Sequence, residues 1–184
     1  KWYIDSVYDQ TFNGLTTVLS ESTTKNESWI ASVRISDGED WSDWMNSTEL
    51  IVVNTPPENI IIPNMIWSED TVNNSLNLLD YFTDIDGDEL GFSSSTPSNI
   101  SVSIDNPTGV VTLIPNTDFT GLNTINFTAS DGMYHVDSNP VILIISPVND
   151  APFLLTPISD VSFLEDSFYA NINLSDNFYD VDNE

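Results

Sequence analysis

The stretch EDTVNNSLNLLDYFTDIDGDE, which begins at Glu69, recurs in the sequence as EDSFYANINLSDNFYDVDNE, which begins at Glu165. The two stretches are in register at an offset of about 96 residues. The in-register pairs are Glu69 and Glu165, Asp70 and Asp166, Leu78 and Leu174, Phe82 and Phe178, Asp84 and Asp180, and Asp86 and Asp182. A repeat of this length predicts tandem copies of one structural unit.

Two shorter motifs repeat with nearly the same period and mark the domain boundaries. SDG at Ser36 recurs at Ser130, and NTPP at Asn54 recurs as NDAP at Asn149, an offset of about 95 residues. A proline in each linker ends the pairing of the preceding strand and fixes an extended path. We therefore predict the C-terminal part of one domain in residues 1–53, a complete domain in 54–148, and the N-terminal part of a further domain in 149–184.

The sequence of each unit is typical of short β-strands. Runs such as GVVTLIP, TINFTAS and VILIISPV are rich in β-branched residues and are separated by Asn, Asp, Gly, Pro and Ser. No window of about a dozen residues carries an apolar stripe at the helical period. The pattern predicts an all-β protein of antiparallel β-sandwich domains arranged end to end, with units of immunoglobulin-like size.

Charge limits the partners that the protein can have. The 184 residues include 29 acidic and 3 basic side chains, for a formal net charge of −26 and a pI near 4.1. Nucleic acid and anionic membrane surfaces would repel such a chain, whereas cations would be attracted. No apolar run is long enough to span a bilayer, and the absence of cysteine excludes disulfides and thiolate metal sites. Because the chain starts without Met and ends within a motif, we expect a window from a longer polypeptide.

The segment DIDGD places three aspartates, Asp84, Asp86 and Asp88, at alternate positions. If the segment is extended, Asp84 and Asp86 lie about 6.6 Å apart and repel by roughly 2.5 kcal/mol at an effective dielectric of about 20. No Lys or Arg follows Arg34, so the downstream sequence offers no ion pair. Calcium binds carboxylate, amide and backbone oxygens, and Gly87 lets the backbone turn. The segment therefore predicts a calcium site; the alternative is a solvated acidic surface of a protein from salty water.

The motif order also resembles a known family. EDT, DIDGDEL, LIPNTDFTGLNTINFTASDG and VILIISPVNDAP follow one another as in the cadherin-like tandem repeats of large bacterial and archaeal surface proteins, and the resemblance covers residues 54–184. Residues 1–53 resemble a related immunoglobulin-like repeat of archaeal surface proteins through SWIASVRISDG and STELIVVNTPP. The resemblance implies an extracellular rod of end-to-end domains, which calcium stiffens in many members.

Calcium ligands at both junctions follow from the same resemblance. At the 149–184 junction they are Asn149, Asp150, Asp180 and Asp182, with Glu165 and with Asp131 of the preceding unit. At the 54–57 junction they are Asn54, Glu69, Asp84 and Asp86, with Asp88 and Asp37. Thr55 stands where the other linker has Asp150, so we expect weaker calcium binding at the 54–57 junction.

Sequons for N-linked glycosylation are spread along the chain. They begin at Asn26, Asn46, Asn73, Asn99, Asn126 and Asn173. In a secreted chain each is a candidate attachment point for a glycan on an exposed strand or loop. We expect some of them to be glycosylated.

The function that these features predict is structural. A single histidine, His135, and the absence of cysteine leave no recognisable catalytic apparatus. We expect a non-catalytic module of a surface layer, adhesin stalk or filament, with neighbouring domains of the same chain as partners and with possible self-assembly through edge strands. The alternative is a carbohydrate-binding module with Trp41 and Trp44 as its platform; we expect instead that one of them packs into the core and the other covers its rim.

Overall fold

Short β-strands and turns account for the fold, which we describe from a computed structural model. The structure describes residues 1–19, 22–168 and 173–182. The repeat residues 169–172 and 183–184 lie outside the described residues. The chain divides into two compact units, of which the first contains Lys1–Ile61, Leu78–Ser93 and Phe127–Ser138, and the second Ile62–Asn77, Ser94–Asn126 and Asn139–Glu184.

The strands are numbered in chain order. They are β1 (Trp2–Ile4), β2 (Val7–Asp9), β3 (Ser28–Val33), β4 (Met45–Asn46), β5 (Leu50–Ile51), β6 (Glu58–Asn59), β7 (Met65–Ser68), β8 (Asn73–Asn77), β9 (Phe82–Thr83), β10 (Gly91–Ser94), β11 (Ile100–Asp105), β12 (Val110–Pro115), β13 (Gly121–Ile125), β14 (Phe127–Ser130), β15 (His135–Asp137), β16 (Val141–Ser146), β17 (Phe153–Leu154) and β18 (Phe178–Tyr179). Short 3-10 helices lie at Gln10–Phe12, Leu78–Asp80 and Leu174–Asp176. The described residues contain no α-helix, and none of their helices has the length and apolar character needed to span a membrane.

The first unit contains β1–β6, β9, β10, β14 and β15. Its sheets have the orders β2-β1-β3-β4, with β5 also on β3, then β6-β9 and β10-β14-β15. Trp29 on β3 is buried, and the rings of Trp2 and Phe12 meet it edge-on with centroids 6.0 and 5.1 Å away. The rings of Phe82 and Phe92 pack together, with centroids 5.8 Å apart. Aromatic packing therefore supplies much of the apolar burial in this unit.

The second unit contains the sheets β11-β12-β8, β13-β16-β7 and β17-β18. Burial alternates along β16, where Val141, Leu143 and Ile145 are buried while Ile142 is exposed. This period of two is the one expected for a strand with one face in an apolar core.

The prediction of an all-β fold with antiparallel sheets is confirmed. One pair among the described strands is an exception, because β16 and β7 run parallel. Parallel neighbours need a long connection, and residues 69–140 lie between these two strands.

Asn139 holds the segment that leads into β7. The N–H of Ile62 donates to Asn139 Oδ1 at 2.9 Å, and Asn139 Nδ2 donates to the carbonyl of Ile62 at 3.0 Å. Pro63, the next residue, has no N–H with which to extend a β-ladder. The side-chain amide of Asn139 therefore bonds both backbone groups of Ile62 at the point where Pro63 cannot extend a ladder.

Leu143 and Leu122 offer a matched test of this core, since both lie in the sheet β13-β16-β7. Leu143 has no exposed surface, whereas Leu122 is 71% exposed. Leu143→Ala should lower the free energy of unfolding by about 2–5 kcal/mol, because it removes buried methyl groups and leaves a cavity. Leu122→Ala should change it by less than about 0.5 kcal/mol. Urea denaturation measures both, and equal effects would contradict the assignment of the buried face.

Candidate metal centres

The first acidic loop, Asp84, Asp86 and Asp88, follows β9. One carboxylate oxygen from each lies within 4.8 Å of the others. Asp84 Oδ1 accepts hydrogen bonds from the N–H groups of Asp86 (2.8 Å) and Asp88 (3.3 Å), and Gly87, with a φ of +75°, donates its N–H to the carbonyl of Asp84. The N–H of Thr55 in the linker donates to Asp86 Oδ2 at 2.7 Å. The loop is therefore shaped by its own backbone and tied to the linker.

Lys25 contacts the first acidic loop, and the sequence pattern did not predict this contact. Its ammonium group forms an ion pair with Asp88 Oδ1. The hydrogen bond to Asp88 raises the pKa of Lys25 above its ordinary value, against the opposing effect of burial, and the charges of Asp88, Asp86 and Asp84 raise it further. The lack of basic residues after Arg34 excludes only downstream partners, whereas Lys25 lies 63 residues upstream of Asp88.

The second acidic cluster contains the carboxylates around Asp150. Its members form two groups that share Asp150: the first is Glu69, Asp150 and Asp182, and the second is Asp70, Asp118 and Asp150. Within each group, one carboxylate oxygen of every residue lies within 4.8 Å of the others. Glu69 is only 2% exposed, and its Oε1 accepts the N–H of Val148 at 2.8 Å. Asp182 Oδ2 accepts the N–H of Asp150 at 2.7 Å. Backbone donors of the linker thus orient two of the carboxylates.

Hydrogen bonds around the two loops match across the sequence repeat. The N–H of Asp150 donates a hydrogen bond to Asp182 Oδ2, and the N–H of Thr55 donates the corresponding one to Asp86 Oδ2; both are 2.7 Å long. Asp180 Oδ1 accepts the N–H of Asp182 at 2.9 Å, as Asp84 accepts that of Asp86. Asp70 and Asp166, which the repeat aligns, both adopt positive φ, at 57° and 59°. The repeat in the sequence is therefore also a repeat in local geometry.

Burial and neighbouring charges both act on the carboxyl group of Asp150. Its Oδ2 is buried and has no hydrogen-bond partner among the described residues. Burial raises the pKa of Asp150 above its ordinary value, and the charges of Asp70, Asp118, Asp182 and Glu69 raise it further. A hard divalent cation would relieve both effects, since calcium prefers clustered carboxylate oxygens. The donors of the second acidic cluster therefore fit calcium.

Several predicted ligands lie elsewhere than expected. The resemblance placed Glu69 with Asp84 and Asp86, whereas the structure groups it with Asp150 and Asp182. The EDT motif follows β7, and the parallel pairing of β7 with β16 brings this motif to the linker after β16. Asp131 belongs to none of the acidic groups of the described residues. Glu165 is exposed and also outside these groups.

Asp131 and Asp37 each accept backbone hydrogen bonds within their own turn. Asp131 Oδ1 accepts hydrogen bonds from the N–H groups of Met133 (2.7 Å) and Tyr134 (2.6 Å). Asp37 Oδ1 accepts the corresponding bonds from Glu39 (3.0 Å) and Asp40 (2.9 Å). Asp131 Oδ2 also accepts from Asn54 Nδ2 at 2.8 Å. Burial alone would raise the pKa of Asp131, but these hydrogen bonds outweigh it and the pKa lies below its ordinary value. The SDG motif therefore encodes a hydrogen-bonded turn.

The remaining predicted ligands support their loops. Asn149 is exposed, and its Nδ2 donates to the carbonyl of Asp150 at 2.9 Å. Asn54 Oδ1 is buried without a hydrogen-bond partner among the described residues. Asp70 and Asp118 were not predicted as ligands, although the first is part of the repeated EDT and EDS motifs and the second lies in the NTDFTG segment.

Trp41 and Trp44 are both exposed, at 60% and 41%, so the expectation that one of them packs into the core was wrong. The guanidinium of Arg34 lies 4.3 Å from the ring centroid of Trp41 and 4.7 Å from that of Trp44, and Lys1 Nζ lies 4.2 Å from that of Trp44. Stacked cations stabilise exposed aromatic rings. Because Arg34 contacts both rings, this arrangement favours a structural role over a platform for sugars.

Antiparallel sheets with carboxylate clusters at loops define the class of protein, an all-β module whose acidic groups are consistent with calcium sites. A family model described as the cadherin-like domain matches residues 53–146, just over half of the 184 residues. The chain belongs to the cadherin-like domain family, whose members are β-sandwich domains that are typically non-catalytic. This confirms the cadherin-like resemblance over residues 53–146.

Comparison with solved structures finds a crystal structure of human protocadherin-24 EC1-2. The TM-score is 0.44 at 20% sequence identity, and the match covers 60% of this chain and 58% of that one. This chain therefore spans less than two thirds of the protocadherin chain that it matches. No curated protein matches the sequence.

The raised pKa of Asp150 predicts how the metal-free protein responds to pH. Because the folded state holds this proton more tightly than the unfolded chain, the carboxyl stabilises the fold below its unfolded pKa, and that contribution is lost as pH rises through the folded pKa. Carbon-13 NMR titration in chelator should place the midpoint of Asp150 above 3.8, and Asp118→Asn should lower it. Asp160→Asn, at an exposed position outside the acidic groups, should leave it unchanged. A midpoint insensitive to Asp118→Asn would contradict the cluster.

Proposed function

We propose that this chain is a non-catalytic segment of an extracellular rod of tandem β-sandwich domains, in which calcium bound at the second acidic cluster fixes the junction after the central domain. The supporting observation is the origin of the ligands. Glu69, Asp70 and Asp118 belong to the segment that the family model matches, whereas Asp150 and Asp182 follow it. One cation would therefore bind carboxylates on both sides of a domain boundary.

The proposed domain organisation is the C-terminal part of an immunoglobulin-like domain in residues 1–53, a complete domain in 54–148 and the N-terminal part of another in 149–184. The repeated hydrogen bonds support it, because each linker donates to the second aspartate of the D-x-D motif that follows it. Neighbouring domains of the same chain are the primary partners under this proposal.

Each residue of the second acidic cluster has a distinct task in this proposal. When bound, calcium would supply the positive charge that offsets five neighbouring carboxylates. The N–H of Val148 orients Glu69, and the N–H of Asp150 orients Asp182, so that the linker backbone positions ligands from both of its sides. Any movement of the linker would separate the two ligand sets, and bound calcium would therefore resist bending at this junction.

The rod would act through its length and surface charge. Cadherin-like domains are usually extracellular, and a net charge of −26 suits a hydrated, cation-rich surface. We propose that the parent protein is a surface-layer component, an adhesin stalk or an extracellular filament. Self-assembly through exposed edge strands belongs to the same proposal, since an unpaired edge can add a strand from a second chain.

Calcium titration tests the proposed function. Isothermal titration calorimetry should detect calcium binding, and calcium at about 100-fold above its Kd should raise the free energy of unfolding by about 2.7 kcal/mol. Glu69→Gln and Asp182→Asn should each weaken the binding by about tenfold or more, because each removes a charged oxygen ligand. Asp160→Asn removes a charge outside the cluster and should leave the affinity unchanged within about twofold.

Small-angle scattering with and without chelator provides the mechanical readout of the same proposal. The maximum dimension should be better defined in calcium than in chelator, and Glu69→Gln should abolish the difference. A chain that binds calcium with unchanged affinity after Glu69→Gln would contradict the assigned site. A maximum dimension independent of calcium would contradict the stiffening role.

The exposure of the sequon asparagines supports glycosylation at part of them. Asn26, Asn46, Asn99 and Asn173 are exposed, whereas Asn73 and Asn126 are half-buried. In protein from a glycosylating host, intact mass should fall on enzymatic deglycosylation, with the exposed sites modified more completely than the half-buried ones. Identical masses before and after treatment would exclude N-linked glycans on this segment.

A further inference from the structure

The two acidic clusters share their local geometry but differ at the linker. The N–H of Thr55 donates to Asp86 just as that of Asp150 donates to Asp182. The side chain of Asp150 then adds a carboxylate to its cluster, whereas Thr55 brings no charge. The first acidic loop therefore has the backbone arrangement of the second cluster without its linker carboxylate.

A basic side chain is present at the first acidic loop. Lys25 is one of the 3 basic residues of the chain, and the other two, Lys1 and Arg34, lie over the rings of Trp44 and Trp41. Three carboxylates and one ammonium group give the first acidic loop a formal charge of −2. Five carboxylates give the second acidic cluster a formal charge of −5. The electrostatic attraction for a divalent cation is therefore much weaker at the first loop.

We propose that the Lys25 ammonium group is the resident cation of the first acidic loop, where it takes the place of calcium and joins the segment of residues 1–53 to that loop without a metal. The inference deepens the proposed function and rests on it for the calcium chemistry of the acidic clusters. Lys25 is tethered to the same chain, so it occupies the loop without the translational entropy cost that a free ion pays. A calcium ion would have to displace the ammonium group or bind next to its positive charge.

The oxygen atoms of the loop indicate what removal of Lys25 would expose. Asp84 Oδ2 and Asp88 Oδ2 are buried without hydrogen-bond partners among the described residues. These are hard oxygen donors of the kind that calcium prefers. Without the ammonium group, the loop would present three carboxylates and no positive charge. The loss of Lys25 should therefore convert the first acidic loop into a calcium site.

The test removes Lys25 in a chain whose second acidic cluster is disabled. The parent variant combines Glu69→Gln with Asp182→Asn, and Lys25→Met is added to it within the 184-residue chain. In calorimetric calcium titrations the variant with Lys25→Met should bind calcium at least about tenfold more tightly than this parent. Lys1→Met in the same parent is the charge-matched control, because Lys1 contacts Tyr8 and Trp44, and it should change the affinity by less than about twofold.

The outcomes separate this inference from the proposed function. An affinity that Lys25→Met does not increase, or that Lys1→Met increases equally, overturns the role of Lys25 whatever the second acidic cluster does. If Glu69→Gln leaves calcium binding of the otherwise unchanged chain intact, the proposed function fails, while the comparison of Lys25→Met with its parent still measures the effect of Lys25.

A measurement on the unsubstituted chain covers the case in which a variant does not fold. Carbon-13 NMR follows the side-chain carboxyl signals of Asp84 and Asp88 during calcium titration, with Asp182 as the reference for the second acidic cluster. The first two signals should shift only at calcium concentrations at least about tenfold above those that shift Asp182. If all three signals shift together, or if those of Asp84 and Asp88 shift at lower calcium than that of Asp182, the inference is overturned.

Discussion

Repulsion among carboxylates that lie within 4.8 Å of one another constrains both acidic clusters of this protein. With 29 acidic and 3 basic side chains, ion pairs can offset only a small part of it. The fold first uses its backbone: N–H groups of the D-x-D loops and linkers donate to Asp84, Asp86 and Asp182. Peptide donors stabilise carboxylates in place but add no formal charge. Cations can offset the remaining repulsion: Lys25 pairs with Asp88 in the first acidic loop, and the donors of the second acidic cluster fit calcium.

Local sequence determines the loop shape, whereas distant segments determine the charge around it. The D-x-D motif and the residue after the linker asparagine reproduce the same hydrogen bonds about one repeat apart, within 0.1 Å. Glu69 and Asp118 reach the second acidic cluster from other parts of the chain, and Lys25 lies 63 residues before Asp88 of the first acidic loop. A repeat can therefore retain its geometry while its ionic chemistry changes.

The same distinction explains what could be predicted from the sequence. Repeat period, strand alternation and turn residues are local signals, and they led to the all-β fold, the family and the D-x-D loops. The grouping of Glu69 with Asp150 and Asp182 was not predicted because it depends on the parallel pairing of β7 with β16, whose residues are far apart in sequence. Trp41 and Trp44 are exposed and lie under Arg34, a stacking partner that apolar patterning does not reveal.

An ammonium group and a divalent ion would give the two junctions different physical properties. The ion pair of Lys25 and Asp88 joins side chains that are 31% and 17% exposed, so dissolved salt screens it in part. Its strength does not depend on free calcium. At the second acidic cluster Glu69 is almost fully buried and Asp150 carries a buried oxygen without a hydrogen-bond partner among the described residues, so under the proposed function an ion from solution would supply the balancing charge. In the proposed rod, junctions that depend on calcium would soften when calcium falls, because a junction with a tethered ammonium group would keep its positive charge and the others would lose theirs.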